Sequence, residues 1–192
     1  MERKRAFQCK NHRLENFDYS QNGYYYVTIC TKERVNYFGD ILSDGQMTLN
    51  DCGKIVYAAL ENISKFYEQV LLDEFVVMPN HIHAIIIMQK DNVNVGTEQC
   101  SVLSNLDEES MVEQFATTTN RVNLSQIIKS YKNICTKQIR NNLGLSDFEW
   151  QRSFYDHIII DEQSLLKIRE YIKDNPAKWH LDKYNCENQN EY

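Results

Sequence analysis

The chain has 192 residues, 42% of them hydrophobic, which is enough for one domain with a substantial core. No apolar run approaches the roughly eighteen residues of a membrane-spanning helix, and no signal-peptide segment follows the charged start. The formal net charge of −6 argues against a uniformly basic nucleic-acid-binding surface, and the six irregularly spaced cysteines argue against a zinc ribbon or a disulfide framework.

The charge is unevenly distributed along the sequence. Residues 1–14 and 124–140 each carry a net charge of +4, whereas residues 89–123 carry −4. Basic segments can contact the phosphates of a nucleic acid, although charge runs are also common on surfaces that only face solvent. The cations that we consider as DNA contacts are Arg3, Lys4, Arg5, Lys129, Lys132, Lys137, Arg140 and Arg152.

The first predicted elements are a strand, a hairpin and a helix. Residues 24–31 are rich in aromatic and β-branched side chains, which predicts a central strand whose tyrosines either pack in the sheet or stack on bases. An Asp-Gly pair within residues 35–49 predicts a hairpin turn. Asn50 or Asp51 is suited to cap a helix that continues to about Phe66.

Two predicted strands, residues 70–78 and 82–88, meet at a Pro-Asn break. Side chains alternate between the faces of a strand, so His81 and His83 project to one side and Ile82 to the other. Neutral imidazoles two residues apart can share one metal ion. A partly exposed pair of histidines at a strand edge is the alternative that the residues alone leave open.

A second helix follows residues 89–123, which are polar, acidic and without periodicity and predict a flexible insertion. Asn123 is suited to cap this helix, which extends to about Asn141. One face of the helix is apolar, and the opposite face could follow a DNA backbone. The residues of that opposite face are Lys129, Lys132, Thr136 and Arg140.

A strand at about 153–160 and a helix from near Glu162 to Asn175 complete the pattern. We expect this helix to end at Asn175 because the residue before a proline is disfavoured in helical geometry. The order of elements predicts an α+β fold of the ferredoxin-like type, an antiparallel sheet with two helices on one face. The first and third strands of that fold lie at the centre, and the C-terminal helix is an addition to it.

Four short motifs are spaced along the chain: Met78-Pro79-Asn80-His81-Ile82-His83, Trp150-Gln151, Tyr171-Ile172 and Asn175-Pro176. Together they resemble the single-tyrosine HUH transposases, most closely the REP-associated tyrosine transposase branch. The resemblance runs from about Asp18 to Trp179, except for a stretch near residues 90–122. It implies an RRM-like ferredoxin fold in a single domain, residues 1–192, preceded by a basic arm at residues 1–17.

The resemblance also implies roles for the motif residues. Tyr171 matches the tyrosine nucleophile, and Asn175, four residues later, matches the group that completes the metal site with the two histidines. Without the resemblance, half-buried packing on a helix is the better explanation of Tyr171. Tyr131 and Tyr155 are chemical rivals, but neither has the matching spacing.

The implied function is that of a transposase that cleaves single-stranded DNA near hairpins and transfers strands through a 5′-phosphotyrosine intermediate. The implied cofactor is Mg²⁺ or Mn²⁺, and imidazole ligands alone favour Mn²⁺ or a later transition metal. The expected partner is hairpin-bearing single-stranded DNA, bound by a monomer or a homodimer. We expect a cytoplasmic protein that associates with the nucleoid when it is bound to DNA.

Two other functions remain compatible with parts of the sequence. A non-catalytic RRM-like module would bind single strands by stacking, but it has no need for two aligned histidines. A zinc hydrolase would use water as the nucleophile, but no carboxylate base lies near the histidines in the sequence. A covalent protein–DNA product distinguishes the transposase from both.

Overall fold

The structure is a computed structural model that describes residues 18–89 and 122–185. The basic arm, with Arg3, Lys4 and Arg5, and residues 90–121 of the acidic segment lie outside the described residues. The elements in chain order are β1 (Gly23–Cys30), β2 (Gly39–Ile41), β3 (Met47–Leu49), α1 (Asp51–Glu61), α2 (Ile63–Phe66), β4 (Val70–Val77), β5 (His81–Met88), α3 (Leu124–Leu143), β6 (Tyr155–Ile159) and α4 (Glu162–Asp174). Single turns of 3-10 type lie at Lys32–Arg34 and Trp179–Leu181.

Four strands form an antiparallel sheet in the order β4-β5-β1-β6, and β2 and β3 form a separate hairpin. The α+β ferredoxin-like fold is therefore confirmed, with β1 and β5 at the centre of the sheet. Their register places Thr28 opposite His83 and Cys30 opposite His81. The histidines thus lie in the middle of the sheet, as the topology predicts.

The two faces of the sheet have different coverings. One face supplies Val27 and Ile82 to the main hydrophobic core, which also includes apolar residues of α1 and α3. The other face supplies Ile85 to a smaller cluster with Leu165 and Ile172 of α4. Because side chains alternate along β5, its histidines lie on the face that α4 covers.

The helix predicted to reach Phe66 is interrupted at Asn62, which separates α1 from α2. The Asn62 side chain donates a hydrogen bond to the carbonyl oxygen of Ala58 at 2.9 Å. The residue has φ −85° and ψ 1°, outside regular helical geometry. A side-chain amide that bonds the backbone in this way competes with continuation of the helix.

Helix α4 ends where the sequence predicts, but the predicted reason is wrong. Asn175 keeps helical dihedrals, φ −57° and ψ −43°. The helix ends because Pro176 has no N–H to donate to the preceding turn. The chain then continues through the turn at Trp179–Leu181 and back towards the sheet.

The described cysteines lie in the interior of the domain. The three described cysteines, Cys30, Cys52 and Cys135, are buried, and burial raises the pKa of the Cys52 thiol to about 12. They fill space as small apolar side chains do.

Across residues 18–89 and 122–185, no helix combines the length and the apolar character needed to cross a membrane.

We predict that Gly53→Ala destabilises the protein by about 1–3 kcal/mol, the usual cost of overpacking. A Cβ at this position of α1 would lie 2.0 Å from the Phe38 carbonyl oxygen and 2.9 Å from Leu49 Cδ2. This clash outweighs the gain of up to about 1 kcal/mol in helix propensity. Urea denaturation followed by circular dichroism measures the change. The neighbouring exposed change Lys54→Ala is the control and should leave the midpoint almost unchanged; a variant Gly53→Ala as stable as the wild type would contradict the close contact.

Candidate active site

The two histidines of β5 form a buried pair. His81 is 0% and His83 1% exposed, and their Nε2 atoms are 3.0 Å apart. Strands β1 and β4 flank β5 on both sides, and α4 packs on the same face of the sheet. The pair is therefore not a partly exposed pair at a sheet edge.

Asn80 determines which nitrogen of His81 carries the proton. Its Nδ2 donates to the carbonyl oxygens of Arg34, at 3.0 Å, and Tyr184, at 2.9 Å. The remaining atom, Oδ1, lies 2.9 Å from His81 Nδ1. Since a carbonyl oxygen only accepts, Nδ1 must be the donor in a neutral His81. The lone pair on Nε2 then points at His83.

The Nδ1 of His83 contacts two hydroxyl groups of β1. Tyr26 Oη lies at 2.7 Å and Thr28 Oγ1 at 2.9 Å. The Tyr26 ring also stacks on the imidazole, with 5.4 Å between ring centroids. These contacts fix the orientation of the His83 ring.

Both imidazoles are electrically neutral at physiological pH. Burial lowers the pKa of His81 well below its usual range, and the neighbouring His83, Arg34 and Lys183 lower it further. Burial, with a smaller effect of Lys183, lowers the pKa of His83 to about 3. Neutral imidazole is the form that binds metal ions.

Asp182 adds a carboxylate to the histidine pair. It is buried, its Oδ2 lies 3.9 Å from His81 Nε2, and the potential ligand atoms of the three residues lie within 4.8 Å of one another. Two imidazoles and a carboxylate suit a first-row divalent metal, so this group can hold a metal ion. Asp182 is absent from the site residues predicted from the sequence, and the expectation that a hydrolase would lack a nearby carboxylate is wrong.

Asn175, the ligand that the resemblance implies, is buried next to Tyr171. It lies one helical turn after Tyr171, and its side chain lowers the pKa of that phenol. Its Oδ1 has no hydrogen-bond partner within the described parts of the chain. A buried amide oxygen rarely lacks a partner in a folded protein, and a bound cation would supply one. The residues present therefore fit a bound cation.

Tyr171 lies at the rim of this cluster. Its ring meets His83 edge-on at a centroid distance of 5.3 Å, and it is 42% exposed. Burial and the charge of Asp182 raise the pKa of Tyr171, whereas hydrogen bonds with Asn175 and Tyr26 oppose that rise. The phenol can thus be reached from solvent while its ring contacts buried His83.

The rival tyrosines have other positions. Tyr131 is 1% exposed, belongs to the main core, and donates its hydroxyl to the Val56 carbonyl oxygen. Tyr155 pairs with Thr28 across the sheet, and its ring lies 6.3 Å from that of Tyr184. Tyr131 is therefore inaccessible to a substrate, whereas Tyr155 lies beside the site on the edge strand.

Residues 179–185, which we call the closing segment, cover the histidine pair. The Tyr184 ring lies 4.7 Å from that of His81, and it is 3% exposed. Arg34 lies over one side of this ring at 5.0 Å and Lys183 lies 4.9 Å from it. The sequence after Pro176 shows no periodicity, and only its aromatic residues could have indicated that it packs on the domain.

Two of the basic residues of α3 form hydrogen bonds with the backbone of the following segment. Lys132 Nζ donates to the carbonyl oxygens of Gln151 and Ser153, each at 2.8 Å. Arg140 Nη2 donates to that of Phe148 at 2.9 Å. These two cations hold residues 148–153 against α3.

The other described cations of the predicted DNA surface, Lys129, Lys137 and Arg152, are exposed. Exposure leaves these side chains accessible to a phosphate backbone. Their contact with DNA stays a prediction, as does that of Lys132 and Arg140.

Comparisons with known proteins place this chain in a family and identify its fold. No family model matches the sequence. The chain belongs to the same family as an uncharacterized protein of Haemophilus influenzae strain Rd, which is 39% identical over 170 residues, 88% of this chain and 89% of that protein. A solved REP-associated tyrosine transposase bound to a REP hairpin matches with a TM-score of 0.52 and 17% identity, over 90% of this chain and 75% of that one. The resemblance to the HUH tyrosine transposases is thus confirmed at the level of the fold.

We predict that the metal-free protein loses about 2 kcal/mol of stability between pH 7.5 and pH 5 through His83 alone. The pKa of His83 is about 3 in the folded protein, against 6.5 for an unperturbed histidine. Between those values the unfolded chain binds a proton that the folded chain does not, so stability falls as pH falls. Urea denaturation in EDTA at the two pH values measures the difference.

His83→Gln should reduce this pH dependence, because it removes the buried imidazole. Equal pH dependence in the His83→Gln variant and the wild type would show that the buried imidazole is not the group responsible.

Proposed function

We propose that this chain is a metal-dependent single-stranded DNA endonuclease and strand transferase, a transposase that cleaves DNA near hairpins. One observation carries the proposal: the accessible phenol of Tyr171 lies edge-on against His83 of the buried, neutral histidine pair. The Oδ1 of Asn175, one helical turn further along, has no hydrogen-bond partner among residues 18–89 and 122–185, which supports a cation at this site.

His81, His83, Asn175 and Asp182 are the residues that would hold the ion, Mg²⁺ or Mn²⁺. When bound, a divalent cation supplies Lewis-acid activation of the phosphodiester and neutralises developing charge. The Asp182 carboxylate attracts a cation to two otherwise neutral imidazoles. It also lowers the net charge of the loaded site by one unit relative to a set of neutral ligands.

Tyr171 would act as the nucleophile. Its Oη loses its proton and attacks the phosphorus atom, the bond between phosphorus and the 3′ oxygen breaks, and the departing oxygen takes up one proton in return. The products are a 5′-phosphotyrosine bond and a free 3′-OH. One ester replaces another, so the reverse attack by a second 3′-OH can rejoin strands without ATP.

The groups around Tyr171 suit this role. Asn175 Nδ2 and the Tyr26 hydroxyl can donate hydrogen bonds to the phenolate oxygen, which favours the charged form. Their effect on the pKa of Tyr171 opposes that of burial. Helix α4 holds the tyrosine in place because Ile172, the next residue, is fully buried against the sheet.

We propose hairpin-bearing single-stranded DNA as the substrate. The structural neighbour was solved with a REP hairpin, and this chain shares its fold. An RRM-like stacking module is less well supported, because α4 covers part of the sheet face that such a module uses. In addition, the Tyr26 hydroxyl forms a hydrogen bond with His83, and Tyr25 is buried in the main core.

We predict that Tyr171→Phe lowers strand cleavage by at least about a thousandfold while folding and DNA binding persist. The change removes one oxygen and keeps the ring. The substrate is a pool of single-stranded oligonucleotides that carry palindromic hairpins, labelled 3′ of the nick. With the wild-type protein the label should migrate with the protein on a denaturing gel, and peptide mapping should locate it on Tyr171.

Tyr155→Phe is the matched control and should cleave normally. An adduct on Tyr155 would keep the class of enzyme and move the nucleophile. Cleavage by Tyr171→Phe without any adduct would contradict the mechanism and favour a water nucleophile with Asp182 as its base.

We predict that Lys129→Ala combined with Lys137→Ala lowers the salt dependence of single-strand binding by about 1.4 in the log–log slope, at about 0.7 per phosphate contact. Both side chains are exposed on α3. Fluorescence anisotropy over a series of salt concentrations measures the slope.

Lys54→Ala combined with Lys65→Ala removes two exposed cations from α1 and α2 and should leave the slope unchanged. An unchanged slope in the α3 variant would indicate that DNA binds elsewhere, for example at the basic arm. Lys132→Ala serves a different purpose: it should lower stability, because Lys132 holds two carbonyl groups.

A further inference from the structure

The two histidines differ in the chemistry of the groups that hold their Nδ1 atoms. His81 faces the Oδ1 of Asn80, which can only accept a hydrogen bond. His83 faces two hydroxyls, Tyr26 Oη and Thr28 Oγ1, and a hydroxyl can either donate or accept. One tautomer of His81 is therefore fixed, whereas His83 can keep its partners in either tautomer.

We propose that Tyr26 and Thr28 are positioning residues that let His83 change tautomer when a cation binds, and that this change turns the Tyr26 hydroxyl towards Tyr171. The inference rests on the metal site of the proposed function. It adds residues of β1 to that site and gives them a defined action.

The two Nε2 atoms lie 3.0 Å apart, so without a cation between them one of the two must carry a proton. The Nε2 of His81 carries a lone pair, because its proton is on Nδ1. A hydrogen bond between the two rings then requires the proton of His83 to be on Nε2. The Nδ1 of His83 is an acceptor in this state, and Tyr26 or Thr28 donates to it.

A cation changes these requirements. Each imidazole must offer the Nε2 lone pair, so the proton of His83 has to be on Nδ1. The proton moves from one nitrogen to the other, and the ring stays neutral. The hydroxyl that donated to Nδ1 becomes an acceptor, so Nδ1 keeps a hydrogen-bond partner, and coordination of the cation replaces the hydrogen bond between the two rings. A carbonyl or carboxylate partner could satisfy only one of the two states.

Tyr26 connects this change to the nucleophile. Its ring lies 6.4 Å from that of Tyr171, edge-on, so the two phenols are neighbours on this face of the sheet. While Tyr26 donates to His83 it has no second proton for Tyr171. Once it accepts from His83 Nδ1–H, its own proton can be donated to the Tyr171 oxygen. A bound cation thus favours a hydrogen bond to the attacking oxygen.

The test is nitrogen NMR of the full chain with ¹⁵N-labelled histidine, in EDTA and then with Mg²⁺ or Zn²⁺ as diamagnetic probes. In the wild type, His83 should carry its proton on Nε2 without metal and on Nδ1 with metal, whereas His81 should keep Nδ1–H throughout. His83 with Nδ1–H in both states would overturn the inference. Absence of any metal effect on either histidine would instead overturn the proposed metal site.

Variants provide the second measurement, which is Mn²⁺ affinity by calorimetry. Tyr26→Phe combined with Thr28→Val should weaken binding about ten- to a hundredfold, the range typical for groups that orient a ligand. Thr28→Ser, which retains a hydroxyl, should restore most of the loss caused by Thr28→Val. Tyr24→Phe makes the same change as Tyr26→Phe two residues away on the same face, and it should bind like the wild type.

Cleavage kinetics test the link to the nucleophile. Tyr26→Phe at saturating Mn²⁺ should lower kcat about tenfold or more and leave KM for DNA unchanged, because it removes a donor to Tyr171 and no DNA contact. Wild-type Mn²⁺ affinity in the double variant would overturn the positioning role. A wild-type kcat in Tyr26→Phe would overturn the link to Tyr171.

Discussion

The antiparallel register between β1 and β5 is the constraint on which the site depends. It places Thr28 beside His83 and sets both histidines on the face away from the main core. Because side chains alternate with a period of two, a shift of one residue would turn both imidazoles into that apolar core. Buried apolar residues on the other face, such as Val27 and Ile82, oppose such a shift. The packing of the core therefore determines on which face of the sheet the two histidines lie.

Helix α4 and the closing segment supply the remaining walls of the site around the histidine pair. Leu165 and Ile172 pack on Ile85, so the helix is held against the face that carries the histidines. Pro176 ends the helix, and the chain turns back far enough to bring Asp182 near His81. The same turn buries Tyr184, whose ring closes one side of the site.

Burial of polar groups here costs free energy unless each finds a partner. The Asn80 side chain bonds two backbone carbonyl groups and His81. Asn175 Oδ1 finds none among the described residues, and the two imidazole Nε2 atoms face each other. A molecule that was selected only for stability would fill this space with apolar side chains. Buried polar groups without hydrogen-bond partners are typical of a functional site.

The sequence by itself determined the features that depend on local periodicity and on short motifs. These include the order of strands and helices, the common face of the histidine pair, and the one-turn spacing of Tyr171 and Asn175. The tertiary structure alone decided which distant groups meet. Asp182 reaches the histidines because of a turn without any periodic signal, and Lys132 bonds backbone carbonyls although its spacing resembles that of a solvent-facing cation. Such contacts depend on how separate elements pack, and the period of a single strand or helix carries no information about its partner.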